Sequence, residues 1–289
     1  MKVAVMTDTN SGMAVEEAEG LGVFCIPMPV IINEVNYIED INLTQEAFFQ
    51  ALASDADVST SQPSPGDLME MWDNILDSGY DEIIYIPMSS GLSSSMQNAK
   101  IFAEDYDGRI QVADNHRISV TQRQSVLDAL LLAENGRSAS DIKDILEKTA
   151  YDSVVYLAVE DLSYLKKTGR VNATAATVGN VLGIKPILRT MGSAFEVRTA
   201  VRGIKKASAR IIEEINTELT TRFKDIGRDE IVIGTAGSFT NRIDAGNWCA
   251  VVKEAFPDIE VFFDVLSCSI ACHTGPNAMG AGVSRKIRI

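Results

Sequence analysis

The chain has 289 residues, with 26 Lys and Arg against 40 Asp and Glu and a formal net charge of −14 at pH 7. Its 46% hydrophobic and 23% charged residues supply material for one large core or two ordinary ones, which excludes wholesale disorder. Negative charge of this size repels nucleic-acid phosphates and anionic lipid surfaces, so nucleic-acid binding and stable membrane anchoring are set aside.

In chain order, Lys2–Met6 and Val23–Ile32 read as strands, followed by helical patterns at Leu43–Ala53 and Pro65–Asp77. Strand Glu82–Ile86 precedes helix Ser93–Glu104, and strand Arg109–Ala113 precedes helices Ile118–Glu134 and Ala139–Lys148. Such alternation demands crossovers and predicts a largely parallel sheet. After about residue 150 the pattern changes. Strands are predicted at Ser153–Ala158, Ile184–Thr190, Phe195–Thr199, Glu230–Gly234 and Ile259–Val265, with helices at Ile204–Phe223 and Asn241–Phe256. Met191-Gly192-Ser193 between two of these strands predicts a hairpin, hence local antiparallel pairing.

The expectation is an α/β protein of two domains: residues 1–150 with a parallel sheet flanked by helices, and residues 151–289 of α+β type with a mixed sheet. No Pro/Gly-rich linker separates them, so close packing is expected. The smoothest apolar run, Val171 to Leu188, is broken by Asn172, Asn180 and Lys185, too early for a membrane span. A charge at Asp8 interrupts the N-terminal apolar residues too soon for a signal peptide, which predicts a cytoplasmic location. Cys25, Cys249, Cys268 and Cys272 are too irregularly spaced for a disulfide framework or a zinc ribbon and read as core thiols.

Four segments carry candidate chemistry. In Ser59-Thr60-Ser61-Gln62-Pro63-Ser64-Pro65-Gly66-Asp67, helix capping accounts for Ser64, Pro65 and Asp67 as a capping box. Thr60, Ser61 and Gln62 are left over, as an exposed turn or as ligand contacts. Ser89 to Ser95 holds five serines in seven residues after a strand and before a helix, where an anion is readily bound; a ligand-free turn explains it as well. It matches neither a phosphate-binding lysine loop nor a nucleophile elbow. Cys272 to Gly282 is Gly-rich and carries His273, either a hydrogen-bond or charge donor to an anion or a structural histidine; a metal on Cys268, Cys272 and His273 lacks a further ligand. Lys166 and Lys167 close a helical turn before Gly169, which the helix dipole explains, whereas Arg170 falls outside that explanation. These groups bind an anion better than they break a bond, since no paired carboxylates or Ser-His-Asp order accompanies them.

Six ordered stretches, Met6-Thr7-Asp8-Thr9-Asn10-Ser11, Thr60-Ser61-Gln62-Pro63-Ser64, Ser89-Ser90-Gly91-Leu92-Ser93, Asp161 to Arg170, Ile184-Lys185-Pro186-Ile187-Leu188 and His273-Thr274-Gly275-Pro276, resemble the DegV family. The resemblance runs to the terminal Ser284-Arg285-Lys286-Ile287-Arg288-Ile289. It implies a Rossmann-like N-terminal domain, a C-terminal α+β domain and a long-chain fatty acid in an apolar tunnel at their interface. It also implies a carrier subunit without catalysis or cofactor, presenting the carboxylate to a separate, dihydroxyacetone-kinase-like fatty acid kinase that forms acyl phosphate. Carried over, it assigns the carboxylate to Thr60 and Ser93, with His273 completing the site and Ser61 and Thr274 beside them. Lys166 and Arg170 are assigned to the entrance or the kinase.

Three departures stand out. Leu92-Ser93-Ser94-Ser95 replaces the usual Leu-Ser-Gly-Thr, removing a glycine from the turn. Asn277 replaces the glycine of Pro-Gly-Ala, and Asn tolerates positive φ. Thr7-Asp8-Thr9-Asn10-Ser11 varies the common Thr-Asp-Ser-x-x-Asp, leaving the role of Asp8 open. Phe24, Ile26 and Met28 are candidates for the tunnel wall or for ordinary core. The reading from another class is an enzyme acting on a small phosphorylated or carboxylated metabolite, with the serine loop as cradle and His273 as acid or base.

Overall fold

The computed structural model describes residues 2–54, 56–172, 183–239 and 242–289. Most of the run from Val171 to Leu188, and the first residue of the helix expected at Asn241–Phe256, lie outside the described residues. Among the described residues no helix is long and apolar enough to cross a membrane.

Three sheets organise the chain. Strands β1 (Val3–Asp8), β2 (Val23–Ile26), β6 (Glu82–Ile86) and β7 (Ile110–Val112) form a fully parallel sheet in the order β2-β1-β6-β7. Successive β1 side chains alternate between its two apolar faces. Ala4 and Met6 pack with Trp72, Met96 and Tyr106 from the side of α3 (Pro65–Asp77) and α4 (Ser95–Ala103). Val5 packs with Val126, Ala129, Ile142 and Leu146 of α5 (Val120–Glu134) and α6 (Ala139–Lys148), and with Ala18 of α1 (Val15–Gly20).

The stretch Val23–Ile32, expected as one strand, is two. It breaks at Pro27-Met28, where Pro27 has no N–H for a ladder and the Met28 N–H instead meets Thr9 Oγ1 at 3.2 Å. Beyond the break, β3 (Pro29–Ile32) joins β4 (Val35–Ile38) and β5 (Val58–Thr60) in a small antiparallel sheet ordered β4-β3-β5, backed by α2 (Gln45–Ala53).

Residues 153–285 supply the third sheet, and the boundary expected at Ala150-Tyr151-Asp152 falls in the turn between α6 and β8. Its strands are β8 (Ser153–Ala158), β9 (Ile184–Thr190), β10 (Glu196–Arg202), β11 (Ile231–Gly237), β12 (Glu260–Val265) and β13 (Met279–Arg285), in the order β10-β9-β8-β13-β11-β12. Only β11 and β12 pair in parallel, so the sheet is mixed, and the expected hairpin is β9–β10. β13, the last strand, sits in the middle. One face, with Tyr156 and Ile187, packs on Ile211, Ile215, Trp248 and Val252 of α8 (Ile204–Thr220) and α9 (Arg242–Ala255). The other, with Leu157, Leu188 and Ala236, packs on Met88, Leu92, Ile118 and Val120 from the first 150 residues and on Ile270 of α10 (Cys268–Thr274). The two halves of the chain thus share an apolar seam.

Candidate functional site

A cavity opens in that seam, beyond the carboxyl ends of β1 and β6, where ligands of open parallel sheets gather. It is narrow, with a free volume of about 50 Å³. Most of its wall is apolar: Met88, Leu92, Ile118, Val120, Leu157, Leu165, Phe195, Ala236, Leu266 and Ile270. The polar members are Asn10, Ser119, Arg170, Ser269, His273 and Thr274.

His273 and Thr274 reach the cavity because their segment, expected as a Gly-rich loop, is the helix α10 followed by β13. Ser267 caps the helix by accepting the Ile270 N–H at 3.2 Å. Gly275 ends it at φ +73, with the Tyr164 ring only 2.7 Å from where a Cβ would stand, so a side chain is barred on both grounds. Thr60 ends β5 and its Oγ1 lies 3.0 Å from His273 Nε2, while His273 Nδ1 is buried without a partner among the described residues. Burial first, and the neighbouring Arg170 guanidinium second, push the imidazole down to about 4. His273 is therefore neutral at pH 7 and meets an anion as an N–H donor, leaving the positive charge to Arg170.

Arg170 follows the short helix α7 (Ser163–Lys167). Its Nε donates to the Leu92 carbonyl at 3.3 Å and its Nη1 to that of Thr168. This lays Arg170 against the serine-rich turn and inside the cavity wall. Lys166 is half-buried and Lys167 exposed, paired with Asp57 at 2.7 Å; neither lines the cavity.

The serine segment is largely committed to structure. Ser89 Oγ donates to the Gly192 carbonyl at the β9–β10 hairpin tip, the Ser90 N–H meets Asp114 at 3.3 Å, and Ser93 Oγ bonds Ser95 at 3.1 Å. A carboxylate accepting the Ser90 N–H gives a phosphate cradle no support. Ser93 is half-buried beside Leu92, and α4 begins at Ser95 rather than Ser93. Ser61 is exposed, two residues upstream of the buried Pro63. The capping box expected at Ser64 is formed on one side only: Ser64 Oγ accepts the Asp67 N–H at 3.0 Å.

The departures are accommodated. Ser94 takes an ordinary right-handed backbone, so no glycine is needed there, and Asn277 adopts φ +56, the conformation it was expected to tolerate. Asp8 is fully buried and ties loop ends together, accepting from the Asn10 and Met88 N–H groups at 3.1 and 3.0 Å and from Gln122 at 3.0 Å. Phe24 and Ile26 line a separate groove against α3, and Met28 is buried away from the cavity. All four cysteines are free, and among the described residues no cluster of His, Cys, Asp and Glu is placed to hold a metal.

His273 sets a testable acid dependence. Its folded value near 4 lies below the ordinary 6.5, so its contribution to stability is complete above pH 6.5 and is lost as pH falls towards 4. Glu39 and Asp264, both raised to about 7 chiefly by burial, act oppositely and lose their contribution as pH rises through 7. The difference between wild type and His273→Gln isolates the histidine. Urea titrations are expected to show the wild type losing stability relative to the variant between pH 6.5 and 4, and parallel curves would mean that His273 is accessible to protons.

The DegV family model, described as an uncharacterised protein of that family, matches residues 2–286. A DegV domain-containing protein of Listeria innocua is 30% identical over 282 residues, covering 96% of this chain and 97% of its own. Among solved structures, a fatty-acid-binding DegV family protein from Thermus thermophilus superposes with a TM-score of 0.86 at 28% identity, covering 99% of this chain and all of its own. DegV from Bacillus subtilis, described as a fatty acid binding protein, gives 0.85 at 26% with the same coverage. Sequence, fold and length agree from end to end, and the chain belongs to the DegV family.

Proposed function

We propose that this protein binds a long-chain fatty acid in the seam cavity, with the carboxylate at the Thr60–His273 end, and presents it to a separate ATP-using kinase for conversion to acyl phosphate. The observation that carries this reading is an apolar cavity with a neutral, partly unpartnered imidazole and a guanidinium at one place in its wall. Each buried methylene contributes about 0.8 kcal/mol, so a long acyl chain supplies on the order of 10 kcal/mol before association entropy is subtracted. The carboxylate, costly to desolvate alone, takes the Nδ1–H of His273, whose Nε2 accepts the Thr60 hydroxyl, and the hydroxyl of Thr274. Arg170 balances its charge and, with Lys166, faces the kinase. The Thermus and Bacillus proteins, described as fatty-acid binders, support the ligand class. The protein holds the acid and, by itself, performs no chemistry on it.

Denaturing extraction of the purified protein followed by mass spectrometry is the test. A near-stoichiometric long-chain fatty acid is expected. With ATP and added acid, acyl phosphate should form only when a kinase is supplied. No extracted lipid, in protein that also fails to take up added fatty acid, overturns the reading.

A further inference from the structure

Away from the His273 end, the cavity wall contains two neighbouring residues whose side chains nothing among the described residues fully satisfies. Asn10 is fully buried on the turn Thr9–Ser11; its Oδ1 accepts from Ser267 Oγ at 3.4 Å and its Nδ2 has no partner. Ser119 is 5% exposed and its Oγ has no partner either. The two residues are joined directly, the Ser119 N–H donating to the Asn10 carbonyl at 2.8 Å. Ser119 occupies the capping position of α5, where a serine hydroxyl ordinarily accepts a backbone N–H, yet it caps nothing and is held at φ +54, ψ −137. A strained backbone and two orphaned polar atoms in a mostly apolar wall are unfavourable for a purely hydrocarbon occupant.

We infer that Asn10 and Ser119 form a second polar subsite that hydrogen-bonds an uncharged oxygen on the acyl chain, making hydroxylated long-chain fatty acids preferred ligands. This rests on the fatty-acid reading above. An amide N–H and a hydroxyl together donate to and accept from an alcohol. A second carboxylate is disfavoured there, because the buried Asp8 carboxyl lies directly behind, accepting the Asn10 N–H at 3.1 Å. The subsite sits part-way along the chain. Asn10 meets α10 at its cap, Ser267, and His273 lies six residues further on, roughly 9 Å along a helix axis.

The experiment measures binding of octadecanoic acid and of its 7-, 10- and 12-hydroxy derivatives to the delipidated full-length protein by competition. At least one hydroxy acid is expected to bind about tenfold or more tightly than octadecanoic acid, and Asn10→Ala and Ser119→Ala should each reduce that ratio towards one. The wild-type comparison needs no variant to fold. Octadecanoic acid binding as well as or better than every hydroxy acid, or a preference unchanged in both folded variants, overturns the subsite while leaving fatty-acid binding intact. Failure of all four acids to bind overturns the fatty-acid reading itself.

Discussion

Ala236→Phe is expected to abolish fatty-acid binding while leaving a folded protein. Ala236 lies on β11, is 4% exposed, and contributes to the apolar wall. A benzyl group at this position fills space the acyl chain needs. Overpacking a filled core costs about 1–3 kcal/mol, and the narrow cavity takes up part of the added ring. Excluding about eight methylenes forfeits about 6 kcal/mol, which is roughly four orders of magnitude in affinity. Isothermal titration of the delipidated variant should show no uptake, with circular dichroism and melting close to wild type. Affinity within tenfold of wild type would move the acyl chain out of this cavity, and the groove lined by Phe24 and Ile26 would become the next place to examine.

His273→Ala is expected to weaken binding by about 10- to 100-fold, the loss of one hydrogen bond to a charged group of about 1.5–3 kcal/mol. His273→Gln, which keeps an N–H donor of similar reach, should recover part of it. Thr60→Val should cost less alone, and the double variant less than the sum, because Thr60 Oγ1 also positions His273 across their 3.0 Å contact. Competitive binding on delipidated protein measures all four. Wild-type affinity in His273→Ala would remove the imidazole from the carboxylate site.

The parallel first sheet, the β9–β10 hairpin and most helices are legible in the sequence because their periodicity is local. Three features are not. Val23–Ile32 reads as one strand because its apolar run continues across Pro27, and only the Thr9 hydroxyl taking the Met28 N–H reveals the change of sheet. Met279–Arg285 reads as loop because its glycines mask strand propensity; Gly280 and Gly282 are there because Tyr156, Leu157, Val120 and Thr121 leave no room for side chains. The small sheet of β3 to β5 is built of strands too short to announce themselves. At the site, Thr60, His273 and Arg170 are singled out by being surplus to capping and dipole explanations. Asn10, Ser119 and Ser269 escape notice, since a polar residue that turns inward onto a distant sheet carries no local mark. Arg170 joins the wall because its guanidinium finds the Leu92 carbonyl, 78 positions away in sequence.

The central position of β13 has a consequence for chain synthesis. β8 to β10 on one side and β11 and β12 on the other have no hydrogen-bonded ladder between them until residues 279–285 have been made and inserted. Until then, the partly made product presents two open strand edges and an apolar face without its middle, the kind of surface that recruits chaperones or neighbouring chains. On the fatty-acid reading, lipid capture waits for residues 279–285, and a chain interrupted before them should be a species destined for degradation rather than a leaky binder.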